Sequence, residues 1–324
     1  MSEDPGSVWR MTTSPHQLNA TCPEDLLAFV PVAIGFAPAD SVVMLSVKGD
    51  RPFHARIDLP DDDDDIDAVV EALLQPSRQH GITRVVFVIY DDDTAIADET
   101  AGLLHLAFTE AGIDVFEVLR VHDGHYYAVL PGRPPASYRG IAFEVRHHPF
   151  AAHSIFGGRV THDSREALAA TVARDAAGCE HVATHLVSCQ PLASHRIRTL
   201  ITEHAMSRSA TPPEVVAALA LSLADGSLRD EAWRWLTRSA AAAYVDFWAD
   251  VVRRTPEELV AGPASVLAFT AWLAGEGAMA WCAVDRARAV DAEHSLAGLV
   301  ADMLRSATAP DQWDLFAEFT EGVA

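Results

Sequence analysis

Three groups of residues in this 324-residue chain have the types and spacing to do chemistry. Asp91, Asp92 and Asp93 follow the apolar run VVFVIY (85–90), so they stand where a buried strand ends. Ligands of open α/β sheets bind beyond the carboxyl ends of strands. Carboxylates clustered there could hold a cation or act as an acid–base pair. The simpler account is a cap: Asp93 or Thr94 satisfies the first amides of the next helix while the others face water.

The second group is the histidine-rich interval His122, His125, His147, His148, His153 and His162. Imidazole is the commonest metal ligand near neutral pH, but a zinc site needs three or four ligands converging at about 2 Å. His122 and His125 flank Asp123-Gly124, a two-residue hairpin turn that would hold them close. His147 or His148 would have to be carried toward that tip by the intervening loop. The third group is CEHVATHLVSC (179–189), where His181, His185 and Cys189 recur every fourth residue, a chelating interval on a helix. Val182 and Leu186 lie beside that face, so these residues also fit the border of a packed helix.

Asp40 is read as closing a tight loop by bonding nearby amides, and Ser41 as opening a buried strand. Asp40 joins the ligand-binding set if its loop reaches the Asp91 strand end. That set is then Asp40, Asp91, Asp92, Asp93, His122, His125 and His147. No catalytic residue is assigned, and neither a metal nor a cofactor is expected. The sequence holds no P-loop, dinucleotide-binding glycine fingerprint, nucleophile elbow or HExxH motif. The acidic run Asp61–Asp65 lacks the alternating ligands and glycine turn of a calcium loop, and suits the positive end of a helix.

The elements that must position these residues begin with LLAFVPVAIGFAPADSVVMLSV (26–47). Its length would cross a bilayer, but Pro31, Pro38 and Asp40 would each leave an unsatisfied or charged group in hydrocarbon. Pro23 suits a first helical position, with Glu24 and Asp25 in the first turn, so the spacing predicts a helix over 23–34 ended by Gly35. A short connection and a buried strand over 41–47 follow. Alternation of Phe53, Ala55, Ile57 and Leu59 with polar residues predicts a hairpin partner. A helix begins near Ile66. Then come the central strand 85–90, a helix ending near Gly112, strand 115–121 and the hairpin strand 125–130. The order implies a mixed sheet with flanking helices and a right-handed crossover at its centre. Residues 131–158 read as a long proline- and glycine-rich rim or lid.

From Asp163 onward the periodicity is helical. Ala271–Leu304 reads as a tetratricopeptide-type hairpin, with Gly275 between helices and the small residues Ala280 and Ala287 seven apart. The expected organisation is a flexible tail over 1–20, a mixed α/β domain over 21–160 and an all-α domain over 161–324.

Forty-six acidic against twenty-four basic side chains give a net charge of −22, which repels phosphate backbones and anionic membrane. No nucleic acid and no membrane is therefore expected as partner. Four cysteines without CxxC spacing fit a reducing compartment. The acidic N-terminus lacks the pattern of a secretory signal. A cytoplasmic protein is the expectation.

Several stretches together resemble the actinobacterial family catalogued as domain of unknown function 4192. They are Leu26–Ala28, Val30–Pro31, the GFAPADS loop (35–41), RIDLP (56–60), the strand end VFVIYDD (86–92), VHDGHYY (121–127) and SREAL (164–168). Members often carry cysteines just after the aromatic pair, where this chain has AVLPGRPPAS (128–137); the resemblance thus implies no cysteine-based metal or redox role there. It implies kinship and no activity. The functional expectation is a non-catalytic binding, regulatory or scaffold protein. It would have a small-molecule or peptide cleft at the strand ends and a protein-partner surface on the helical domain, with Trp272 and Trp281 as candidates. The alternative is a hydrolase or metal-dependent enzyme at the same strand ends.

Overall fold

The computed structural model describes residues 9–13, 16–47, 53–60, 65–156, 160–207 and 210–313. Asp61–Asp64 and the turn at 48–52 lie outside them. Two compact units divide the chain, Met1–Arg165 and Glu166–Ala324. In the first, strands β1 (Trp9–Thr13) and β2 (His16–Ala20) form an antiparallel pair within the stretch expected as a tail.

The remaining strands make one six-stranded sheet. They are β3 (Ser41–Ser46), β4 (His54–Asp58), β5 (Arg84–Tyr90), β6 (Asp114–His122), β7 (His125–Ala128) and β8 (Ile141–Ala142). Their order is β4-β3-β5-β6-β7-β8, and β5–β6 is its one parallel step.

Helices cover both faces. Val42, Met44, Val85, Phe87 and Ile89 pack against α2 (Ile66–Gln79) and α3 (Thr94–Glu110). The alternate residues Val43, Leu45, Val86 and Val88 pack against α1 (Pro23–Ile34). This is why β3 and β5 read as unbroken apolar runs: a strand covered on both sides has no polar face. Helix α1 starts with Pro23 at its first position. It ends where Gly35 takes φ 91°, a left-handed conformation that closes the helix onto the Pro31 carbonyl. The stretch expected as a rim or lid also carries β8 and a further helix, α4 (Pro149–Phe156). Phe143, Val145 and Phe150 seat it on the α1-side core, and that burial orders the chain.

The second unit is helical. From α5 (Arg165–Ala170) the chain runs through α6 (Ala176–Leu186), α7 (Ser194–Ala205), α8 (Pro213–Ser222), α9 (Gly226–Trp233) and α10 (Arg238–Arg254). Helices α11 (Ala261–Leu273), α12 (Gly277–Arg288) and α13 (Ser295–Arg305) complete it. Helix α11 is buried at every position from Gly262 to Leu273, which accounts for a sequence apolar all round. Gly262 allows its closest approach: a β-carbon there would lie 2.5 Å from the Leu223 carbonyl oxygen. No helix among the described residues is long and apolar enough to cross a membrane.

Candidate functional site

The single parallel step gathers the candidate residues. Because β5 and β6 run the same way, their carboxyl ends lie together, with Tyr90 beside Val121. Strand β3 runs against them, so its first residue, Ser41, lies opposite both Tyr90 and Asp58. Strand β7 starts at the same end, with His125 opposite His122. Asp40, Asp91, Asp92, Asp93, His122 and His125 therefore share one end of the sheet. The loop before Asp40 is tied there by a backbone bridge between Phe36 and His162.

These residues differ in how far the fold already occupies them. Asp93 caps α3, its Oδ1 accepting from the amides of Ala95 at 2.8 Å and Ile96 at 3.4 Å. Asp91 Oδ1 accepts from the Asp93 amide at 2.8 Å, which sets the turn into the helix. Asp92 has no such duty: its side chain is 91% exposed, and its Oδ1 lies 3.0 Å from His122 Nδ1. A carboxylate can only accept, so Nδ1 donates and Nε2 of the neutral ring is left as an acceptor. His125 Nδ1 lies 2.7 Å from the Asp123 carbonyl and donates to it for the same reason. The turn between these histidines has positive φ at both Asp123 (46°) and Gly124 (68°), the backbone expected of the Asp-Gly pair.

Three placements differ from expectation. The Asp40 carboxylate is exposed and does not bond the amides of its loop. Instead the left-handed backbone (φ 44°) turns its carbonyl onto the Leu59 amide at 3.0 Å. His147 is exposed in the turn before α4, and no hydrogen bond or ion pair joins it to the strand-end group. Its neighbour His148 pairs instead with Asp25 in the first turn of α1, Nε2 to Oδ1 3.1 Å. Burial raises the Asp25 carboxyl, but the hydrogen bonds from Thr21 and Cys22 and the charge of His148 outweigh it and hold the group below the usual aspartate range. Nearby, burial and then the Glu24 carboxylate push the Tyr126 phenol upward; that hydroxyl donates to Glu24 Oε1 at 3.0 Å.

Ser41 is wholly buried, its hydroxyl without a hydrogen-bond partner, as suits a strand start and not a nucleophile. His181 and His185 stand with ring centroids 5.9 Å apart on α6. Among the described residues no three histidine, cysteine or acidic side chains gather as a metal would require. Trp272 is 4% exposed, with its indole N–H donated to the Thr308 carbonyl, so it belongs to the core of its unit.

Sequence reading passed over the floor beside this group. Arg120 and Tyr127 are register partners on the α3 side of the sheet, two residues in from His122. With Asp98, Ala128, Val129 and Tyr138 they line a recess of about 240 Å³. The Arg120 guanidinium lies over the Tyr127 ring, 4.6 Å from its centroid. Gly140 makes room for that ring, for a β-carbon there would fall 2.6 Å from it. Tyr138 is held by donating to the Leu130 carbonyl at 2.7 Å and accepting from the Arg133 amide at 2.9 Å. Arg133 is anchored in turn on buried Glu117, Nε to Oε2 2.8 Å, and donates to the Phe116 carbonyl. The alternation Val118-Arg120-His122 against Leu119-Val121 was the available signal, since it puts an arginine on the covered side of a strand.

Residues 23–311 match the family model described as "Domain of unknown function (DUF4192)", and the chain belongs to that family. No curated protein and no solved structure matches it.

Proposed function

We propose that this member of the family is a non-catalytic binding protein whose small-molecule or peptide site lies at the β5–β6 end of the sheet, with the helical unit offering a surface to a protein partner. One observation carries the reading. The parallel step brings the ends of β5 and β6 together, and there Asp92 orients His122 with Nε2 left as an acceptor. Asp91 and Asp93 are consumed by the turn and the helix cap, so Asp92, His122, His125 and Asp40 are the groups left for a ligand. A rigid strand end with a few polar side chains and an adjoining recess suits recognition of a small polar molecule.

The test is a thermal-shift screen of the full chain against a metabolite library, with hits confirmed by native mass spectrometry. His122→Ala and Asp92→Asn should each abolish the shift of a genuine hit. Hits that keep full shifts in both variants would place the site elsewhere and end this reading.

A hydrolase is the second reading, favoured by the same pair. A carboxylate on Nδ1 holds the imidazole in the tautomer that accepts a proton at Nε2. Turnover of an ester or amide panel that falls at least a hundredfold in His122→Ala would establish it over binding alone.

A further inference from the structure

We propose that the recess over Arg120 binds the oxyanion group, carboxylate or phosphate, of a small molecule. The proposal rests on the binding reading above and extends it along the same face of the sheet, from His122 inward. The guanidinium is permanently charged and presents its donors in a planar fork that matches two oxygens of one acid group. Its side chain is only 14% exposed. Neither Nε nor Nη1 has a hydrogen-bond partner in the protein, and both are closed off from solvent, so an acid group reaches Nε by displacing the exposed Asp98 carboxylate. Asp98 Oδ1 lies 3.4 Å from Nε, an ion contact without hydrogen-bond geometry, and Asp98 itself is 62% exposed. A buried cation held so loosely favours an added acceptor, because desolvated charge is stabilised only by close, well-aligned pairing.

The rest of the recess is built to keep that cation in place. Tyr127 supports one face of the guanidinium, Gly140 leaves room for the Tyr127 ring beside it, and Tyr138 forms a wall whose hydroxyl is committed to the backbone. The recess, about 240 Å³ and open on one side, has room for an acid group with a small body. The charge of the whole chain sharpens the inference. At −22 the chain as a whole disfavours anions, so an anion that binds does so through local pairing and not through a general field.

Isothermal titration of the full chain at low ionic strength, with acetate, benzoate and inorganic phosphate as separate probes, tests the proposal. At least one probe should bind saturably at one site per chain, and the three arms tell carboxylate from phosphate. Arg120→Met, which keeps the volume, should weaken that binding at least tenfold. Asp98→Asn, at an exposed position, should tighten it severalfold by removing the competing carboxylate, and this arm decides the matter if Arg120→Met fails to fold. Saturable binding by none of the probes overturns the proposal, as does binding unchanged in Arg120→Met or in Asp98→Asn. Library hits lost in His122→Ala, in a protein that binds none of the three acids, would sink the oxyanion site and leave the strand-end reading standing.

Discussion

Replacing Arg133 by methionine isolates the charge that pins the rim of the recess. Glu117 is 5% exposed. Burial pushes its carboxyl above the ordinary glutamate range, against the opposing pull of Arg133 and the Val118 amide. Methionine fills similar volume but leaves the carboxylate buried without its cation. Breaking such a pair costs about 3–5 kcal/mol. Arg133 keeps 31% of its side chain in water, so screening argues for the lower end, about 3 kcal/mol at pH 7. At about 2–4 °C per kcal/mol for units of this size, the melting temperature of the first unit should drop by about 6–12 °C.

The pH dependence carries the reasoning. A carboxyl raised in the folded state adds stability in full below the ordinary glutamate range, and that stability is lost as pH rises through the raised value. Losing Arg133 raises it further, so the deficit against wild type is largest at neutral pH and shrinks as pH falls toward about 4, where both forms carry the proton. Urea denaturation of both proteins between pH 4 and pH 8 measures it. A deficit constant across that range would show that buried charge is not what Arg133 neutralises.

Other outcomes follow from single contacts. Asp93→Ala removes both cap bonds of α3 and should cost about 1 kcal/mol, whereas Asp93→Asn stays within a few tenths, by thermal denaturation. Gly262→Ala puts a methyl group against a backbone carbonyl that cannot swing away; overpacking outweighs the helix-propensity gain, and denaturant unfolding should show a net loss of about 2 kcal/mol. His122→Ala breaks only an exposed pair and should shift stability by less than about 0.5 kcal/mol, so any lost ligand signal in that variant reports on the site and not on folding.

Much of the fold was legible because local chemistry and burial agree. Pro23 and Gly35 bracket α1 as their backbone preferences require, and the runs over 41–46 and 85–90 are apolar because helices cover both faces. Asp93 was readable as a cap from its place between strand and helix. The strand-end grouping was legible only in part, since it depends on β5 and β6 being parallel neighbours. What escaped was long-range. His148 finds Asp25 across 123 positions, and Arg133 finds Glu117 across 16, with no periodicity to announce either. Arg120 could be placed on the inner face of its strand by alternation. That Tyr127, Gly140 and Tyr138 close around it depends on register and on the path of the following loop. The order of α4 came likewise from Phe150 meeting the α1-side core, a partner that the local sequence does not show.

The same arrangement puts the proposed site at one end of the sheet and leaves the other end clear of it. The connections entering β5 and β6 fall at the end opposite Asp92 and His122. Gly112, in the second of them, is exposed, has φ 77°, and has nothing within 4 Å of where a side chain would begin. That connection is therefore a place to graft a fluorescent reporter, or to open new chain ends, while leaving the opposite rim undisturbed. A reporter placed there would read out the proposed binding without touching any residue proposed to bind.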